Sequence, residues 1–198
     1  GAGAYARENG TPVMEQITDQ NAVALTTRNA DLSSMVELLR TQQAAKTDHV
    51  VAASALAAQG GQMLVHGAGR SELSMDGVTT GDLTLAPTRT ADNGIADKLG
   101  IPAAYLRRTR EQNIDLYDDN VNGWLTHRPD RRFLVRGLTD GDSRHGGMRA
   151  LLSDRYRPIE NLDVLMTCLD GIREADHPVD IVSADLSESR MYVKIRST

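Results

Sequence analysis

The strongest patterning lies in residues 131–172. Residues 132–138 and 148–156 carry the β-branched, aliphatic and aromatic content of strands. Between them, Asp140-Gly141 and Gly146-Gly147 suit backbone turns with positive φ. The pattern predicts an antiparallel hairpin with a long tip. Leu162, Leu165, Met166, Leu169 and Ile172 then recur at helical spacing, with Asn161 placed to cap the helix and Asp163 in its first turn. That stripe is expected to pack on the apolar side of the hairpin.

Upstream the period is weaker. Residues 1–30 are Gly-, Thr- and Asn-rich and read as a flexible arm. Residues 31–60 read as a helical segment: Asp31 caps one helix carrying Leu32, Met35, Val36 and Leu39, and an Ala-rich second helix over 49–59 stops at Gly60-Gly61. Residues 62–66, 72–75 and 83–86 read as short strands. A helix over 90–99 ends at Gly100, and a longer one starts at Pro102 and runs to His127-Arg128-Pro129, with Tyr117, Val121, Trp124 and Leu125 on its buried stripe. Two strands follow, over 179–186 and 190–196, the last turning Met191, Val193 and Ile195 inward. The fold class expected is α+β: an antiparallel sheet packed on helices, with an N-terminal helical segment. Residues 61–198 form the α+β domain, which is expected to continue beyond the chain end.

Alternation across the hairpin sets the candidate site. Side chains of a strand point to opposite faces in turn. Arg132 and Arg136 share a face with Leu134; Arg149, Arg155 and Arg157 share a face with Leu151 and Ser153, while Met148, Ala150 and Leu152 point the other way. Arg144 and His145 add positive charge at the tip, and the outward Lys194 and Arg196 of the last strand extend the surface. Guanidinium groups fork onto phosphate oxygens with fixed geometry, so this face predicts a nucleic-acid partner. The alternative is a solvated face whose arginines pair with Asp140, Asp142 and Asp154.

Composition sharpens this. The formal charge is −5, against a generic polyanion binder. Yet residues 98–157 hold 12 Lys/Arg against 8 Asp/Glu, leaving 10 against 19 elsewhere, so positive charge is concentrated mid-chain. The single cysteine, Cys168, excludes an internal disulfide, falls on the helical stripe as a core thiol, and suits a reducing cytoplasm. No apolar run has the length of a membrane span.

Other chemistry is thin. The loop after residue 66, Gly67-Ala68-Gly69-Arg70-Ser71-Glu72, has Glu72 where a dinucleotide fingerprint needs Gly, and it lacks a phosphate-loop Lys. The five histidines show no metal-ligand spacing; Asp140, Asp142 and His145 are merely close in sequence. No metal, cofactor or catalytic residue is expected. Residues 94–110 have the form of a helix-turn-helix, with Arg107, Arg108 and Arg110 on the second helix; a Gly-turned helix pair in the core is the competing reading.

Four segments carry a resemblance. IADKLGIPAAYLRRTR, NVNGWL, RRFLVRGL and RALLSDRYRPIENLDVL resemble the phage/plasmid-like proteins of actinobacterial phages and mobile elements, over about residues 90–167. That family is a domain of unknown function, so the resemblance implies a phage or mobile-element origin and brings no catalytic residues. Annealing proteins of phages are similar in setting a short curved sheet against a helix and in assembling as rings or filaments. The expectation is a non-enzymatic, homo-oligomeric protein that binds or anneals single-stranded DNA in recombination. The alternative is a structural or protein-interaction module.

Overall fold

The computed structural model describes residues 26–69, 71–139, 144–157, 159–175, 179–187 and 190–197. The chain opens with β1 (Thr27–Ala30) and α1 (Leu32–Ala45), whose cap Asp31 accepts from the Ser34 amide at 2.7 Å. Then come β2 (Lys46–Ala52), a 3-10 turn (Ala53–Ala55), β3 (Leu56–Gln59), β4 (Gln62–Val65), the hairpin β5 (Ser71–Ser74) and β6 (Gly77–Thr80), and β7 (Leu83–Pro87). Three helices follow: α2 (Arg89–Leu99), closed by Gly100 at φ 70°, α3 (Ala103–Gln112) and α4 (Ile114–His127). The expected long second helix is thus two helices. Asn113 breaks it, and its side chain accepts from the Leu116 amide to start α4. The chain ends with β8 (Arg132–Thr139), β9 (His145–Ser153), α5 (Asn161–Glu174), β10 (Val179–Leu186) and β11 (Met191–Ser197). The α+β class holds: mixed and antiparallel sheets pack against helices.

The main sheet has strand order β2-β8-β9-β7-β4-β3. Laid flat, its outer strands would stand roughly 24 Å apart, five spacings of about 4.8 Å. Ala52 and Leu56 bracket only the 3-10 turn, a reach of at most about 14 Å. The sheet must therefore curl. β2 and β3 become two halves of one bent strand, the first paired with β8 and the second with β4. Counted once, that strand completes a five-stranded barrel in which β7 and β9 run parallel and the other ladders antiparallel. This order and sense is that of the Greek-key barrels of the OB type.

Inward residues of every barrel strand, including Met63, Leu85, Val135 and Leu151, meet Ile95 of α2 and Tyr117, Val121 and Leu125 of α4 in one core. The free edge of β3 is closed by a side chain. The Asn122 carboxamide on α4 accepts from the Ala58 amide (2.7 Å) and donates to the Ala58 carbonyl (2.8 Å), taking the place of a strand neighbour. One helical turn earlier, Asp118 accepts from the amides of Gly60 (2.6 Å) and Gly61 (2.9 Å). Those glycines form the β3–β4 turn with φ 58° and 75°, the twist a two-residue hairpin favours.

A second, smaller layer comes from the two ends of the described chain. β1, β10 and β11 form a sheet in the order β1-β10-β11, and its Ala184 and Leu186 pack with Met35 and Leu39 of α1 and Leu165 of α5.

The Ala-rich segment 49–59 is strand on either side of the 3-10 turn, not an α-helix, because the backbone groups of 49–52 and 56–59 are taken by β8 and β4. Thr27–Ala30, assigned to the arm, pairs with β10; residues 1–25 lie outside the described residues. The stripe of α5 packs on α1 and the small sheet rather than on the hairpin, whose apolar side faces the barrel core. Asn161 is the first helical residue, and the cap position is Glu160, whose side chain makes no capping bond. Cys168 is exposed, because only the Leu165 line of α5 is covered.

Candidate nucleic-acid interface

The nine basic candidates fall in four places. Arg132 and Arg136 do share a face with Leu134, but that face looks outward from the barrel toward the second layer. There Arg136 is 13 % exposed and donates to Asp48 through Nε (2.9 Å) and Nη2 (2.8 Å), and to Glu160 through Nη2 (3.1 Å). Lys46 bonds the same Glu160 carboxylate. Burial pushes the Asp48 carboxyl upward, and the Arg136 hydrogen bond and charge, helped by Lys46, outweigh it and hold the group below the usual carboxylate range. The Arg136 guanidinium is raised in turn by its bond to Asp48.

Arg149 reaches the same place for a reason that alternation misses. The β8–β9 register shifts between Arg136 and Gly137: Arg136 faces Ala150 and Gly137 faces Met148. Arg149 is therefore the extra residue of a β-bulge. Met148 and Leu151, expected on opposite faces, both enter the barrel core. Arg149 turns outward, and its Nη1 donates to Oε1 of the buried Gln42 at 3.0 Å. A cavity of about 190 Å³ lies between the layers, lined by Lys46, Arg136, Arg149, Tyr156 and Glu160. It joins two of the predicted arginines with Lys46 and one carboxylate, that of Glu160.

The other candidates lie apart. Arg144 and His145 are exposed where β9 begins, beside Thr84 of β7. Arg132, Arg155 and Arg157 are exposed near the far end of the β8–β9 ladder, where Phe133 meets Ser153; nine residues of β9 at about 3.4 Å each set the two ends roughly 27 Å apart. Lys194 and Arg196 are exposed on β11, in the other sheet. One continuous guanidinium face over the hairpin does not form, because the second layer covers its middle. Asp140 and Asp142, offered as partners and as metal ligands beside His145, lie outside the described residues. Among the described residues no group of three acidic, His or Cys side chains could hold a metal ion.

Of the two readings of residues 94–110, the structure has the Gly-turned helix pair in the core. α2 lies on the barrel, its Ile95 and Ala96 in the core. Arg110 pairs with Asp92 and stacks over the Tyr117 ring at 4.1 Å, while the Tyr117 hydroxyl donates to Asp92 at 2.7 Å. Burial first, then the Asp92 charge, push that phenol upward. The basic residue thus fastens three helices together.

What remains open is the outer side of β3, β4 and β7, where Gln59, Gln62 and Ala86 are exposed. Arg144 and His145 border it, and the β5–β6 hairpin beside it exposes Leu73, Met75 and Val78. Sequence reasoning missed this face because its residues are small and weakly polar. It also missed Trp124, expected in the core and found 48 % exposed. The buried line of α4 is Tyr117, Val121 and Leu125, four apart, and Trp124 lies one step outside it.

Compared with known proteins, the chain matches no family model, no curated protein and no solved structure. No described helix is long and apolar enough to cross a membrane.

Proposed function

We propose that this protein binds single-stranded nucleic acid on the open outer side of the barrel, as a homo-oligomer in a phage or mobile-element recombination setting. The observation that carries the reading is the barrel itself. Its strand order is one used for oligonucleotide binding, and one outer side is sealed by the second layer while the other stays bare. Arg144 and His145 supply the phosphate contacts at the rim, and the apolar hairpin tip offers surface for bases. The resemblance of residues 90–167 supports the mobile-element setting, and the lone cysteine supports a reducing cytoplasm. Exposed Val182 and Ile195 at one end of the small sheet support self-association.

The test is anisotropy of labelled single-stranded and duplex DNA at two salt concentrations, beside a mass measurement of the free protein. Phosphate contacts release counterions, so affinity should fall steeply with salt. Arg144→Glu with His145→Glu should weaken it, and Lys194→Glu should not. Salt-independent binding, or binding unchanged by the first pair, removes the reading.

A protein-interaction module is the second reading. The charge of −5 and the exposed Leu73, Met75 and Val78 favour it. Absence of any nucleic-acid binding, with a hairpin-dependent protein complex, would establish it.

A further inference from the structure

Trp124 is the only tryptophan in the chain, and it projects from the last turns of α4. His127, one turn on, meets it edge-to-face at a ring separation of 5.6 Å. The pair forms a wall of a cavity of about 140 Å³, whose floor is Leu99 and Phe133 and whose other lining includes Arg128 and Arg131. Arg131 is held in place: its guanidinium lies 4.9 Å from the Phe133 ring and bonds the Lys98 carbonyl. Arg128 is exposed and has no side-chain partner among the described residues.

Each part has a physical meaning. A half-exposed indole offers a π-face that any nucleobase can cover. The apolar floor excludes water from one side of a ring. The cavity is well below the roughly 300 Å³ at which pockets begin to enclose a drug-sized ligand, so it suits one planar ring, with a sugar and phosphate left at its mouth. The carboxyl end of a helix repels an anion. Two guanidinium groups just past that end reverse the sign, and their fork geometry suits a phosphate.

We propose that Trp124, His127, Arg128 and Arg131 form a site for one nucleotide, with its base against the indole and its phosphate on the two arginines. The inference deepens the single-strand reading above, and its role as a strand contact rests on that reading. The site is built from α4 and the link to β8, apart from the open barrel side. It adds a second contact for the same strand.

The lone tryptophan makes the test direct. The full chain is titrated with thymidine monophosphate, thymidine, inorganic phosphate and an oligothymidylate, reading Trp124 emission, and oligonucleotide binding is measured separately by mobility shift. Thymidine monophosphate should quench the emission saturably. Thymidine should bind about tenfold more weakly, for want of a charge-assisted contact. Arg128→Ala should cause a similar loss with an unchanged thermal melt, since the side chain is exposed.

If oligothymidylate binds by mobility shift and Trp124 emission does not change with any probe, the site is overturned and the strand reading stands. Absence of both signals overturns both. Quenching by the mononucleotide without oligonucleotide binding keeps the site as one for a free nucleotide and ends the strand reading. A blue shift with an acidic apolar peptide, without quenching by the nucleotide, overturns the site in favour of a peptide anchor.

Discussion

Asn122→Leu isolates the contact that closes the barrel edge. The substitution keeps the branched heavy-atom skeleton, adds the bulk of two methyl groups at a part-buried site, and removes both bonds to Ala58, at 2.7 and 2.8 Å. A net hydrogen bond contributes about 1 kcal/mol, and a polar group left dry costs about 1–3 kcal/mol. The site is part-buried, so water recovers some of the loss. The expected destabilisation is about 2 kcal/mol, up to about 4 kcal/mol if Ala58 stays unhydrated. Urea unfolding should show a lower midpoint with an unchanged slope. Hydrogen exchange gives the local readout: the Ala58 amide should lose protection, while the Gly60 and Gly61 amides, held by Asp118, should retain most of theirs. Asn122→Asp keeps the acceptor for the Ala58 amide but loses the donor, and it should regain stability as acid protonates the new carboxyl. A loss below about 0.5 kcal/mol, within the range of ordinary surface changes, together with unaltered exchange at Ala58, would refute this account of the edge.

Single positions elsewhere in the barrel and its helices give further expected outcomes. Gly94→Ala and Gly123→Ala are the same change in two helix interiors, where Ala ordinarily gains about 1 kcal/mol. A Cβ at Gly123 meets nothing within 4 Å and one at Gly94 would lie 2.9 Å from the Leu151 carbonyl oxygen, so thermal melts should rise for the first and fall for the second. Thr47 Oγ1 is buried with no hydrogen-bond partner among the described residues, so Thr47→Val should stabilise by about 1 kcal/mol in urea titration. Asp48 is depressed below its unfolded value. Its stabilising contribution is therefore complete above the ordinary carboxylate range and is lost as pH falls through the lowered native value. Arg136→Met should flatten that acid limb of a stability–pH curve, and an unchanged limb would count against the pair.

Legibility followed the range of the interactions. Caps and alternation are local, so Asp31, Gly100 and strands β4, β7, β8, β10 and β11 could be read directly, although Ile195 of β11, expected inward with Met191 and Val193, is exposed. Residues 46–59 could not. Their composition is Ala-rich, and their strand character comes from partners such as Arg136, 88 residues from Asp48. Propensity yields to such pairing. The candidate site failed at two points of the same kind. A single bulge at Arg149 moved Leu151 across the sheet, and a layer drawn from both ends of the described chain covered Arg136 and Arg149. Charge concentration along the chain was real, but sequence order does not say which side of a sheet another segment will occupy.

The second layer has a consequence for assembly. Its strands come from residues 27–30 and 179–197, so it is discontinuous along the polypeptide, and the barrel is an insert between its halves. Bringing such distant segments together from an unfolded chain is entropically costly. Once the insert has folded, its two exits hold them side by side. The barrel thus serves as a template for its own cladding, and α1, α5 and the small sheet should be the last part to form and the first to let go.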